Sequence, residues 1–134
     1  MKYDFIITPC PAPRMTRSDK WRQPTHPDPS KRRRECVAKY FKFREEFIWL
    51  CKQQRFQLKD TLEIIFYLPM PDSWSKKKKT EMFMKPHQQR PDCDNMIKSV
   101  CDSFGIDDGF VWHINAKKFW HTEGRIIIIE NNCK

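Results

Sequence analysis

No stretch of this chain approaches the roughly 20 consecutive apolar residues of a membrane-spanning helix. The opening MKYDFIITPC has only a short apolar run before polar residues, which does not fit a secretory signal peptide. Six cysteines occupy positions 10, 36, 51, 93, 101 and 133, and no pair has CxxC spacing. No histidine stands at a zinc-finger offset from a cysteine pair, so the common zinc modules are excluded. The cysteines are therefore expected as reduced thiols of a cytoplasmic protein, with Cys51 and Cys101 as small core residues of helices. Internal repeats and domain linkers are absent too, and 134 residues fit one domain that can bury a core without staples.

Acid is scarce: 17 Asp and Glu stand against 26 Lys and Arg, a net charge of +9. That excess favours a polyanionic partner, because neutralising phosphates releases their counterions. With 13% aromatic residues the chain is too rich in core-forming side chains for a disordered one.

Residues 2 to 8 read as a first strand, with Phe5, Ile6 and Ile7 for burial. Residues 9–34 are Pro-rich and basic, and proline this dense excludes helix and central strand, leaving a long loop. Residues 35 to 54 form an amphipathic helix in which Val37, Tyr40, Phe41, Phe47, Ile48 and Cys51 recur at three- and four-residue steps. Residues 61 to 68 alternate as a strand, with Leu62, Ile64, Phe66 and Leu68 on one face. The segment 69–91 holds four successive lysines, whose repulsion predicts a mobile loop. A short helix is expected over 95 to 104, capped by Gly105, with Ile97, Val100, Cys101 and Phe104 facing the sheet. Strands follow at 110 to 119 and 125 to 130, the isoleucine run 126 to 129 buried on both faces, and residues 131–134 read as a frayed tail. The order is β-α-β-α-β-β: a single small α/β domain with a mixed sheet and helices packed on it.

The segment RPDCDNMIKSVCDSFGIDDG, residues 90 to 109, concentrates five aspartates in a basic chain. Asp92 and Asp94 are two apart, so in an extended approach both carboxylates point the same way. Lys98 lies four residues after Asp94, on the same flank of the helix. Asp102 continues that line but points further toward solvent. Asp107 and Asp108 follow in the next turn, and they return to Asp92 and Asp94 if the next strand lies beside the helix start. Carboxylates in such a cluster are natural ligands of a hard cation, which generates a nucleophilic water and stabilises a leaving oxygen in phosphodiester hydrolysis. A nearby lysine stabilises charge on the phosphate. A calcium-binding EF-hand loop is excluded, since its sixth and twelfth positions would be Ile97 and Ser103. Taken singly, Asp94 or Asn95 also reads as a helix cap, Asp94 with Lys98 as an exposed ion pair, and Asp107-Asp108-Gly109 as a turn.

This pattern resembles the RusA-type Holliday-junction resolvases. The match lies in RPDCDNMIKSVCDS followed by the aspartate pair and a strand, with a weaker likeness in PAPRMTRSDKW, in SWSKKKK and in a lysine late in the next strand, Lys117 or Lys118. The resemblance implies that Asp92, Asp94 and Asp108 are catalytic metal ligands for Mg2+, with Mn2+ a possible substitute, and that Lys98 is the essential lysine. Asp107 and Lys117 are accessory candidates. It also implies a homodimer that places paired nicks in four-way DNA junctions, needs no organic cofactor, and is encoded by bacteria or their phages. The segment between Ser103 and Asp107 is short, which shortens the turn carrying Asp108.

For DNA contact the candidates are Arg14, Arg17, Lys31, Arg32, Arg33, Lys76, Lys77, Lys78, Lys79 and Arg90, all of which suit phosphate rather than base recognition. Trp21, Trp74, Trp112 and Trp120 are the residues able to stack on unpaired bases, with Trp112 expected in the core. His87 is placed in a loop, near enough to the motif to touch DNA. Two other functions share the same features: a metal-dependent nuclease for other branched nucleic acids, and a basic DNA-binding module without catalysis.

Overall fold

The computed structural model describes residues 2–16, 19, 22–23, 25–29, 32–106 and 109–130. The elements among them are β1 (Lys2–Phe5), α1 (Glu35–Gln53), β2 (Thr61–Pro69), α2 (Lys76–Met82), α3 (Cys93–Asp102), β3 (His113–His121) and β4 (Arg125–Ile129). The strands form one sheet in the order β1-β4-β2-β3. β4 runs antiparallel to both neighbours, while β2 and β3 are parallel, so the sheet is mixed. The expected α/β class and mixed sheet are both found.

Alternation along the strands decides the core. Tyr3 and Phe5 of β1 stand opposite Ile128 and Ile126 of β4, and Ile64 and Phe66 of β2 meet the same two isoleucines from the other side. All six are buried. Against this face pack Phe43, Phe47 and Cys51 of α1 and Met96 and Val100 of α3. Each of these large side chains contributes about 1.5–3 kcal/mol by leaving water. The Phe47 ring meets Phe5 edge-on at 5.2 Å and Phe104 at 5.9 Å, joining α1, the sheet and the end of α3. Ile127 is buried as well, so the isoleucine run is covered on both faces because β4 is a central strand.

Four expectations are revised. The lysine run is helical. Ser75 caps α2 by accepting from the Lys78 N–H, and successive side chains on a helix fan out by about 100° instead of stacking. Lys78 lies over the Trp74 ring at 4.3 Å, which further offsets the repulsion. On α1 the buried stripe runs through Phe43 as well, while Phe41 and Ile48 are only half-buried. On α3 the deepest side chains are Met96, Ser99 and Val100, one step round from the expected stripe. The two serines nearest the sheet are satisfied within the helix, Ser99 Oγ donating to Asn95 O and Ser103 Oγ to Ser99 O. Lastly, Trp112 is 71% exposed, because β3 begins only at His113 on the open edge of the sheet. Gly105 adopts the left-handed conformation (φ +62°) just beyond α3, where the sequence placed the cap.

No helix among the described residues is long and apolar enough to cross a membrane.

Candidate active site

Helix α3 begins at Cys93, two residues earlier than the expected Asn95, with Asp92 as the N-cap residue. The two aspartates are therefore not both in an extended approach. Asp92 is extended (φ −73°, ψ 143°) and Asp94 lies in the first helical turn. Both remain at the helix N-terminus, where the macrodipole favours negative charge. The Asp92 side chain makes no capping hydrogen bond, which leaves its carboxylate available. Neither carboxylate forms an ion pair or accepts a hydrogen bond among the described residues, and the Lys98 ammonium is likewise unpaired there. All three side chains are exposed.

Asp94, Lys98 and Asp102 share a concavity of 310 Å3, closed by Ile97, Cys101, Val111 and Ile114. Its far wall is the start of β3 and the residues just before it. The start of β3 thus lies along α3, while Asp107 and Asp108, whose return to Asp92 and Asp94 was expected, lie outside the described residues. Asp102 differs from the expectation of a solvent-facing residue. Its Oδ2 accepts from the Tyr40 hydroxyl at 2.7 Å, and its backbone oxygen accepts from Arg44 Nη2 at 2.9 Å. Burial first, and the Asp102 carboxylate second, push the Tyr40 hydroxyl up to about 12, so it stays a proton donor at neutral pH.

The approach to Asp92 is held by a residue that spacing alone did not single out. Lys118 donates to the carbonyl oxygens of Gln89 at 2.5 Å and Pro91 at 2.7 Å. Lys117, the accessory candidate, is exposed and makes no such bond among the described residues. Alternation along β3 turns the two lysines to opposite faces, which was the available signal. The residues before the motif are also hung on β3. His87 N–H donates to Lys118 O, and Trp120 exchanges backbone bonds with Met84 and Lys85. His87 is buried against Trp120, with ring centroids 4.0 Å apart, and so does not face DNA. Burial, and then the Lys118 ammonium, lower its pKa from 6.5.

The basic N-terminal segment reaches the site through backbone bonding: Ala12 N–H donates to Asn95 O in the first turn of α3. Arg14 is exposed nearby in the chain, and its carbonyl accepts from Arg34 Nη2. Arg34 itself is spent on Asp19 at 2.6 Å. Arg32 holds a turn, donating to the carbonyls of His26 and Pro27. Arg33 stacks on Phe41, its guanidinium carbon 4.7 Å from the ring centre. Lys76, Lys77 and Lys78 on α2 are exposed, Lys79 is half-buried, and Arg90 is exposed two residues before Asp92. Arg17, Lys31, Trp21, Asp107 and Asp108 lie outside the described residues.

The donor set fits a hard divalent cation: two carboxylates separated by one residue in the chain at a helix start, exposed and without protein partners among the described residues, in a chain of net charge +9. Two protein carboxylates match the habit of magnesium, which keeps several waters. Among the described residues no group of three metal-ligating side chains converges.

A small α/β domain of net charge +9, with aspartates at a helix start that are unpaired among the described residues, suits a protein acting on nucleic acid. The family model of Endodeoxyribonuclease RusA matches residues 9–129, nine-tenths of the chain, and the protein belongs to that family. No curated protein matches it.

Proposed function

We propose that this chain is a magnesium-dependent endodeoxyribonuclease that resolves four-way DNA junctions by paired nicks. The observation that carries the reading is the Asp92–Asp94 pair, two like charges separated by one residue at a helix start and left unpaired among the described residues. Unpaired carboxylates repel phosphate unless a cation stands between them, so their presence in a DNA-acting protein calls for one. Asp92, Asp94 and Asp108 would hold Mg2+, with Mn2+ able to replace it. When bound, such an ion supplies an activated water and neutralises the developing charge on the leaving oxygen.

The chain's own residues do the rest. Lys98 lies in the same concavity as Asp94, placed to donate to a non-bridging oxygen of the scissile phosphate. Lys118 fixes the backbone that delivers Asp92. Arg14, Arg33, Lys76, Lys77, Lys78, Lys79 and Arg90 bind the backbone of the arms without reading bases. Paired nicks need two active sites, which a two-fold homodimer supplies. Free thiols at Cys10, Cys36, Cys51 and Cys93 support a reducing compartment such as the cytoplasm.

The test is cleavage of a labelled synthetic four-way junction beside linear duplex, with magnesium or with chelator, using wild type and Asp94→Asn. Paired cuts on the junction alone, dependent on metal and lost in the variant, are expected. Junction binding without cleavage in any divalent metal would reduce the protein to a binding module.

A further inference from the structure

Three buried side-chain nitrogens lack a hydrogen-bond partner among the described residues: Arg33 Nε, Arg44 Nε and His87 Nδ1. Two of the three belong to one cluster. Arg33 lies over the Phe41 ring at 4.7 Å, and Arg44 lies 5.8 Å from the same ring and 5.5 Å from Tyr40. Stacking fixes the plane of a guanidinium and lowers the entropy it loses on meeting a ligand.

The charge of both arginines is left over. Neither takes part in an ion pair among the described residues. On α1, Glu35 pairs with Lys39 and Glu46 with Lys42, and the Asp102 carboxylate accepts from Tyr40. Next in sequence, Arg34 shows the opposite treatment, neutralised by the buried Asp19. Two half-buried guanidiniums with closed-off, unsatisfied Nε groups carry an uncompensated desolvation cost, which an anion at their outer Nη edges would offset.

We propose that Arg33 and Arg44, held on Phe41, form a preorganised site for one backbone phosphate of DNA, a few nucleotides from the bond to be cut. The inference rests on the reading that this protein binds DNA, and it adds where the strand is gripped. The position follows from α3. Arg44 bonds the Asp102 carbonyl, and Asp102 shares the concavity of Asp94 and Lys98. From Asp94 to Asp102 the helix rises about 12 Å, over which a duplex strand advances roughly three to four nucleotides. The ligand class is the phosphodiester, because stacked, forked guanidiniums match its oxygens in pairs and carry no base specificity.

The test is equilibrium binding of a fluorescent four-way junction in chelator, so that no cleavage occurs, across a salt series. Wild type, Arg33→Gln, Arg44→Gln, the double variant and Lys52→Gln are compared. Lys52 removes the same charge from the far end of α1. The double variant should lower the slope of log K against log salt by about 0.9, the value of one duplex phosphate, while Lys52→Gln leaves it unchanged. Arg44→Lys should restore the slope but not the full affinity, since the stack is lost. Melting curves show which variants fold. Should Arg44→Gln unfold, Arg33→Gln alone decides, because its guanidinium makes no hydrogen bond among the described residues. Arginine variants that keep the wild-type slope and affinity overturn the proposal alone. A wild type that binds no DNA overturns it together with the functional reading. A wild type that binds, with a double variant that loses slope as expected, but that cuts nothing once magnesium is supplied, upholds the phosphate site and sinks the nuclease.

Discussion

Asp19 and Asp94 both lie close to basic segments, and the fold treats them oppositely. Asp19 is buried and receives four hydrogen bonds, two from Thr16 and two from Arg34. Those bonds, the Arg34 guanidinium foremost, hold its carboxyl far below the usual carboxylate range. Asp94 is exposed and receives none among the described residues, and the nearest charge along the chain is the like charge of Asp92. A carboxylate that serves the fold is closed off by its own chain. The one assigned to chemistry in the proposed function is left open, without a partner among the described residues. The first organises the Pro-rich segment against the start of α1; the second stands open in the first turn of α3, where the proposed cation would bind.

Removing the open carboxylate should break function without harming the fold. Asp94→Asn is expected to lose at least about 100-fold in junction cleavage, more than a residue outside the ligand set typically costs, while melting at an unchanged or higher temperature. A cleavage assay and a melting curve on one preparation check both halves. The same contrast predicts metal-linked stability. Magnesium at ten times its dissociation constant should stabilise wild type by about 1.4 kcal/mol, and Asp92→Asn/Asp94→Asn not at all. A shift that survives in the double variant would place the ion elsewhere.

Lys118 tests whether the open site depends on its backing. Lys118→Met frees the carbonyls of Gln89 and Pro91 and should cost about tenfold in cleavage, with Lys117→Met costing much less. Equal losses would assign the effect to charge instead of position.

The closed carboxylate gives the reverse result. Asp19→Asn should lower the melting temperature by several degrees yet leave cleavage per folded molecule nearly intact. The pH dependence has a definite sign. The folded pKa lies below the ordinary 3.8, so the contribution of Asp19 is full above 3.8 and fades as pH falls toward the folded value. The variant should lack that acid limb. The smallest effect is that of His87, whose folded pKa is lowered from 6.5 by burial. Its penalty appears only below 6.5, where the unfolded chain takes up a proton that the folded one resists. His87→Phe should flatten that part of the stability profile.

Much of this was legible from residue order. Period-two alternation placed β2 within a residue, and three- and four-residue steps placed α1, because both elements bury one face only. The acidic segment was legible as acid concentrated in a basic chain, and Lys98 from its four-residue spacing after Asp94 and from the family pattern. What was missed depended on neighbours far away in sequence. Trp112 carries a large aromatic side chain, yet it stands exposed before an edge strand, its indole N–H donating to Asp60 and its ring meeting that of His113 edge-on. Asp102 was read from its helical position as solvent-facing, since no pattern within α3 reveals Tyr40, 62 residues away. The lysine run was judged by repulsion, which a helix relieves by geometry that a charge count does not contain.

The sequence by itself determined the class of fold, the place of the acidic motif at the start of a helix, and the family pattern carried by that motif. These depend on short-range periodicity and on residue type. Only the tertiary structure decided which charges are spent and which are left over. Arg34 and Arg33 are neighbours in the chain; one is neutralised by Asp19 and the other stacks on Phe41 with its charge intact. The strength of a charge is set by its partners and its burial, and both are properties of the folded neighbourhood, not of the residue.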